Sequence, residues 1–222
     1  MRILAIGDLH LPYCSKEKVS KMLDLVVALK PTHIVQMGDL YDLYSYSKFP
    51  RSIKLLKADE EIAQGRVAAE EIWTGITNRA KKAAKYQLVG NHDARPFKRM
   101  RELCPELEPF CDFTSLWTFP GVTTIADSRE TLEIGDFSFI HGHKTQWLAH
   151  VRRMNTNVCF AHTHRGGCLS YPLGGRTLFE LNCGFLADPY HEALLYRELK
   201  QFHDWTHGVG FIDELGPRFI SL

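Results

Sequence analysis

Five short stretches of the 222-residue chain concentrate groups able to hold a metal: Asp8-Leu9-His10, Gly38-Asp39-Leu40-Tyr41-Asp42, Gly90-Asn91-His92-Asp93, His141-Gly142-His143 and His162-Thr163-His164. Carboxylate, amide and imidazole together offer oxygen and nitrogen donors, a mixture that suits divalent first-row metals better than calcium or a thiolate site. The i, i+2 spacing of Asp8/His10 and of His162/His164 places both members on one side of an extended segment. Each pair alone is a weak signal, since an Asp-x-His is commonly just a turn. Five clusters in this order are a much stronger one.

These residues need elements to position them. Arg2 to Ile6, His33 to Met37 and Tyr86 to Val89 are short apolar runs, each followed within a residue by glycine, and they read as buried strands. Ser15 can cap a helix running to about Lys30, with Val19, Met22, Leu23, Val26 and Val27 as its apolar face. Strand, helix, strand with tight loops predicts a parallel βαβ unit. A long helix is expected from about Ile53 to Lys85. Leu55, Ala58, Ile62, Ala69, Ile72 and Ile76 form its inner face, Asp59, Glu60, Glu61, Glu70 and Glu71 its outer face, and Gly65 and Gly75 would weaken or bend it.

The second half is richer in strands. They are expected at Thr123–Ile125, Thr131–Ile134, Phe137–His141, Val158–Ala161, Cys168–Tyr171 and Thr177–Asn182, with hairpin turns at Gly135-Asp136 and Gly174-Gly175. Gln146 to Arg153 reads as a helix, and Asn182–Phe185 and Trp205–Ile212 as closing strands. In a parallel sheet the carboxyl ends share one edge, where open α/β sheets place their sites. The metal-competent clusters all follow strands.

Composition narrows the function classes. The chain is 45% hydrophobic and 24% charged, ordinary values for a globular protein. Lys plus Arg number 27 against 26 Asp plus Glu, a net charge of +1 that excludes a globally basic nucleic-acid coat. The N-terminal apolar run is too short for a secretion signal, and no stretch approaches the roughly 18 apolar residues of a membrane span. Six cysteines without a CxxC pair are expected to be reduced thiols of a cytoplasmic protein with no membrane contact. The sequence sets no oligomeric state.

The order Asp-x-His, Gly-Asp-x-x-Asp, Gly-Asn-His-Asp, His, His-x-His resembles the calcineurin-like metallophosphoesterase superfamily, over Ile3 to His164. The one departure is Ala161, where the family usually has glycine. The resemblance implies an α/β fold, a four-layer α-β-β-α sandwich of two mixed sheets, expected here as a single domain over residues 1–222. It also implies two divalent metal ions, with Mn²⁺ preferred and Fe, Zn, Mg, Ni or Co as alternatives. Carried across, Asp8, His10, Asp39 and His164 would hold one metal. Asp39, Asn91, His141 and His162 would hold the other, with Asp39 bridging. His92 resembles the family's catalytic histidine that is not a ligand, and Asp42 would hold its orientation. Asp93 and His143 are left open between a supporting and a purely structural role.

The implied activity is hydrolysis of phosphate esters by a hydroxide held between two cations about 4 Å apart. A phosphodiesterase or nuclease is the favoured class. From Arg79 to Arg101 there are eight Lys/Arg and one acidic residue, flanking Asn91-His92, as an extended anionic strand of DNA or RNA would require. A solvated helix face at Lys81, Lys82 and Lys85 is the competing reading. Arg95 could reach a substrate phosphate with its planar fork. Tyr41, Tyr44, Tyr46 and Phe49 would stack on a base or cover the core edge. Asp42-Leu43-Tyr44 replaces the Asp-Arg-Gly of protein Ser/Thr phosphatases. No separate capping domain is evident, so an open cleft is expected. The alternatives are a phosphomonoesterase acting on a small nucleotide or phosphoprotein, and a non-catalytic scaffold of the same fold.

Overall fold

The computed structural model describes residues 1–48, 52, 54–127, 130–194 and 204–222. Two mixed sheets face each other. In the first, β1 (Ile3–Ile6), β2 (His33–Gln36), β3 (Ala84–Leu88) and β4 (Thr123–Ile125) run parallel. β10 (Gly208–Asp213) and β11 (Gly216–Ser221) extend it antiparallel beyond β1, giving the order β11-β10-β1-β2-β3-β4. The second sheet has the order β5-β6-β7-β9-β8, from β5 (Leu132–Ile134), β6 (Phe137–Phe139), β7 (Asn157–Phe160), β8 (Gly167–Leu173) and β9 (Arg176–Asn182). Here β6, β7 and β9 are parallel and the two edge strands antiparallel. Both expected hairpins form, between β5 and β6 and between β8 and β9.

Strand alternation builds the layers. On β1, Leu4 and Ile6 pack against α1 (Lys16–Leu29) and α2 (Ala58–Arg79), with Val19, Met22, Val26, Ala69, Ile72 and Ile76. Ile3 and Ala5 face the other way and meet Phe137, Phe139, Cys159 and Leu181 of the second sheet. On β7, Cys159 points into that inter-sheet core, while Val158 and Phe160 pack with Val151 of α4 (Ala149–Met154). Helix, sheet, sheet, helix is therefore the layer order, as expected. Strands covered on both faces read as continuous apolar runs, which is why β1 and β2 are visible in the sequence.

Several expectations need correction. The helix predicted over about Ile53 to Lys85 spans Ala58–Arg79, so Leu55 precedes it and Ala84 and Lys85 open β3; Ile53 lies outside the described residues. A turn with Ala83 N–H on the Ala80 carbonyl reverses the chain, and Lys85, 7% exposed, donates its Nζ to the Ala83 carbonyl. Glu61 belongs to no solvated face. It is buried and accepts from Tyr44 N–H, Ser45 N–H and the Ser45 hydroxyl. Gly65 makes room rather than a bend, since a Cβ there would lie 2.9 Å from the Tyr41 ring. Val27 is 54% exposed. A further helix, α3 (Arg95–Leu103), follows the Asn91-His92 loop unannounced by any long apolar stripe. Among the described residues no helix is long and apolar enough to cross a membrane.

Candidate metal centre

All five metal-competent clusters lie just beyond the carboxyl ends of parallel strands. Asp8 and His10 follow β1, Asp39 and Asp42 follow β2, and Asn91, His92 and Asp93 follow β3. His141 follows β6, and His162 and His164 follow β7. The two sheets face each other, so these exits converge. Three overlapping groups result: Asp8, His10 and His164; His10, Asp39 and His92; Asp39, His141 and His162. Within each, candidate ligand atoms lie within 4.8 Å of one another.

The local backbone is unusual where the side chains matter. His10, Asp39, His162 and His164 have φ of 49°, 50°, 65° and 61°. Non-glycine residues rarely sit there, and each such residue costs of order 1–3 kcal/mol unless its surroundings hold it. The tight approach of β2 and β3 exits depends on Gly90, where a Cβ would overlap the Asp39 carboxylate.

Hydrogen bonds assign the imidazole protons. His10 Nδ1 lies 2.9 Å from Asp42 Oδ2 and therefore donates, leaving a lone pair on Nε2, which faces His164 Nε2 at 3.1 Å. His141 Nδ1 donates to the Met37 carbonyl at 2.9 Å. Its Nε2 lies 3.0 Å from Asn91 Oδ1 and 3.3 Å from Asp39 Oδ2. His162 Nδ1 is 2.8 Å from the same Asn91 oxygen. Both oxygens of Asp8 are buried and neither makes a hydrogen bond, although Oδ2 lies 3.1 Å from His164 Nε2. The convergence of buried carboxylate, amide and imidazole groups fits divalent cations.

The charges respond to this crowding. Burial, reinforced by Asp39, pushes Asp8 up to about 7. Burial also acts on Asp39, but His141 and His92 outweigh it and hold that carboxyl well below its usual range. Asp42 is likewise held far down by His92 and His10 against its burial. His141 is buried, yet Asp39 raises it to about 10, whereas burial and the His141 charge bring His162 to about 4.

Asp42 does more than its sequence position suggested. Besides lying 3.4 Å from His92 Nδ1, it holds His10, and its Oδ1 meets Arg95 Nη1 at 3.1 Å. Asp93 resolves to a positioning part. Its oxygens accept the backbone N–H groups of Leu40, Tyr41 and Gly90, joining the β2 and β3 exits; burial, then Asp39, raises it to about 6. His143 is exposed and joins none of the three groups.

Arg95 is folded back onto Asp42 and His92. Tyr41 and Tyr44 are buried, so they cover the core rather than offer faces to a base; Phe49 lies outside the described residues. The basic stretch is not one ridge. Lys85 is buried, Arg95 is tied down, and Lys98, Arg99 and Arg101 stand exposed on α3, where Arg99 and Arg101 pair with Glu102 and Glu108.

One contributor was not singled out beforehand. Asn182, at the end of β9, donates to the Ala161 carbonyl at 3.2 Å and the Thr163 hydroxyl at 2.8 Å, and accepts from Gly184 N–H at 2.9 Å. It thereby pins the His162–His164 turn. Phe185 stacks on His164 at 4.9 Å. The signal is the strand exit Asn182-Cys183-Gly184, which pairs a polar residue with a glycine as the other exits do, though in the opposite order to Gly7-Asp8, Gly38-Asp39 and Gly90-Asn91.

The chain is similar to known proteins. The chain is 27% identical over 194 residues to the gene 54 protein of Mycobacterium phage D29, covering 78% of this chain and 72% of that protein. The gene 54 protein of Mycobacterium phage L5 is 25% identical over the same shares. The solved structure of Yfce, a phosphoesterase from E. coli, has a TM-score of 0.47 and 16% identity over 96% of this chain and 89% of that one. The family model described as calcineurin-like phosphoesterase matches residues 1–183, and the chain belongs to that family.

Proposed function

We propose that the chain is a dinuclear-metal-dependent phosphoesterase that prefers phosphodiesters and acts on nucleic acid. The observation that carries this reading is the pair of ligand groups, Asp8/His10/His164 and Asp39/His141/His162, brought together around Asp39 with His92 beside them. Asp8, His10, Asp39 and His164 would hold one cation. Asp39, Asn91, His141 and His162 would hold the other, and this mixed imidazole, carboxylate and amide set accepts Mn²⁺ among the divalent first-row metals. Two divalent cations, when bound, neutralise phosphate charge and supply a water acidic enough to attack at neutral pH.

The chain's own groups do the rest. Asn91 is a neutral donor that keeps the site positive enough for an anion. His92, set by Asp42, would take up a proton at Nε2 and then stabilise charge at the departing oxygen or return that proton to it. The exposed Lys98 of α3, one helical turn from Arg95, supports contact with a second phosphate along a strand.

The test is a substrate panel on Mn²⁺-loaded protein: bis-nitrophenyl against mono-nitrophenyl phosphate, then single-stranded DNA and RNA. Faster diester hydrolysis with cleavage of a nucleic acid is expected. Monoester hydrolysis far exceeding diester hydrolysis would overturn the preference.

A further inference from the structure

Arg95 opens α3 and reaches back across the site. Its Nη1 donates to the Asp42 carbonyl at 2.8 Å and to Asp42 Oδ1 at 3.1 Å, and its Nη2 lies 3.1 Å from His92 Nε2. The other imidazole nitrogen, Nδ1, lies 3.1 Å from the same Asp42 carbonyl and so carries the ring proton. His92 Nε2 therefore accepts from the guanidinium. A closed loop of three residues results, with side chains 0% (Asp42), 8% (His92) and 14% (Arg95) exposed.

The two ends of the guanidinium are held unequally. Nη1 is anchored by a carboxylate and a carbonyl. Nη2 is held by a neutral ring nitrogen, which lacks the full negative charge of a carboxylate or phosphate oxygen and so attracts the guanidinium less. An anionic phosphate oxygen arriving near His92 competes for Nη2 with an advantage, while Nη1 keeps the arm in place. Until then Nε2, the nitrogen through which His92 would meet a substrate, is covered.

We propose that Arg95 is a latch exchanged by phosphate: it caps His92 Nε2 in the free protein and passes that N–H to a non-bridging oxygen of the phosphate ester, uncovering His92 as substrate arrives. This deepens the phosphoesterase reading above and rests on it. A lysine has no fork to span Asp42 and His92 at once.

Two measurements test it, neither needing turnover. The first is the rate at which diethyl pyrocarbonate acylates His92 in the metal-free protein, located by peptide mass. Arg95→Ala and Arg95→Lys should both raise that rate about tenfold, the value of one net hydrogen bond. Arg95→Lys keeps a cation against Asp42 and serves if the alanine variant folds poorly. The second is calorimetric binding of inorganic phosphate to Mn²⁺-loaded protein, which Arg95→Ala should weaken about tenfold or more. Unchanged acylation in both variants would overturn the cap. Faster acylation with unchanged phosphate affinity would overturn the exchange. A protein that shows both effects but hydrolyses no ester would leave the latch standing and remove the hydrolytic reading.

Discussion

The exits of β1, β2 and β3 meet those of β6, β7 and β9 across the site, yet the two sides are held by different means. On the first-sheet side two buried carboxylates do the bracing. Asp42 joins His10, His92 and Arg95, and Asp93 gathers backbone N–H groups of Leu40, Tyr41 and Gly90. On the second-sheet side the brace is a neutral amide, Asn182, and two of the histidines lean across the gap. His141 takes its orientation from the Met37 carbonyl, and His162 from Asn91. At the site, the first-sheet exits are held by charge-assisted bonds among themselves. The second half takes its register partly from the first. Damage should therefore travel from the first sheet to the second more readily than back.

The largest expected effect separates the reacting group from the metal-holding ones. His92→Ala should lower turnover by about 10²–10⁴-fold while metal content, measured by elemental analysis, stays the same. Loss of metal would place His92 among the ligands, a reading its grouping with His10 and Asp39 makes worth testing. Next comes Asp42→Asn, which unsettles His10 and should weaken metal binding by about 10–100-fold in a calorimetric titration. Asn182→Ala should weaken it less. An equal loss would erase the contrast between the two sides.

Stability gives a third comparison. Asp93→Ala strands three buried backbone N–H groups at about 1–3 kcal/mol each, whereas Asn182→Ala strands one, that of Gly184. Denaturant unfolding should show the larger drop for Asp93. The smallest effect is His143→Ala. The exposed ring joins no ligand group, so turnover and metal content should match wild type in the same assays.

Much of this was legible in the sequence, for identifiable reasons. Buried parallel strands read as apolar runs, and their glycine-and-polar exits announce both the strand end and the chemistry. Val27, Glu61 and the end of α2 were misjudged because helical periodicity does not say how far a partner surface extends. Glu61 fits the polar face by spacing, but Tyr44 and Ser45 fold over it and satisfy its carboxylate. The α3 helix was hidden because its stripe is short and basic. The double duty of Asp42, and the anchoring of Arg95 on it, depend on contacts between residues dozens of positions apart, as in the His10–Asp42 bond, which local spacing cannot show. Left-handed backbone at His10, Asp39, His162 and His164 is equally invisible locally, since none of these is glycine.

The most direct test of the central claim joins metal content to turnover on one preparation of the wild-type chain. Two divalent ions per chain are expected, with bis-nitrophenyl phosphate hydrolysis abolished by chelation and restored by Mn²⁺. A folded protein that binds no divalent ion and turns over no phosphate ester with Mn²⁺ supplied would contradict the account.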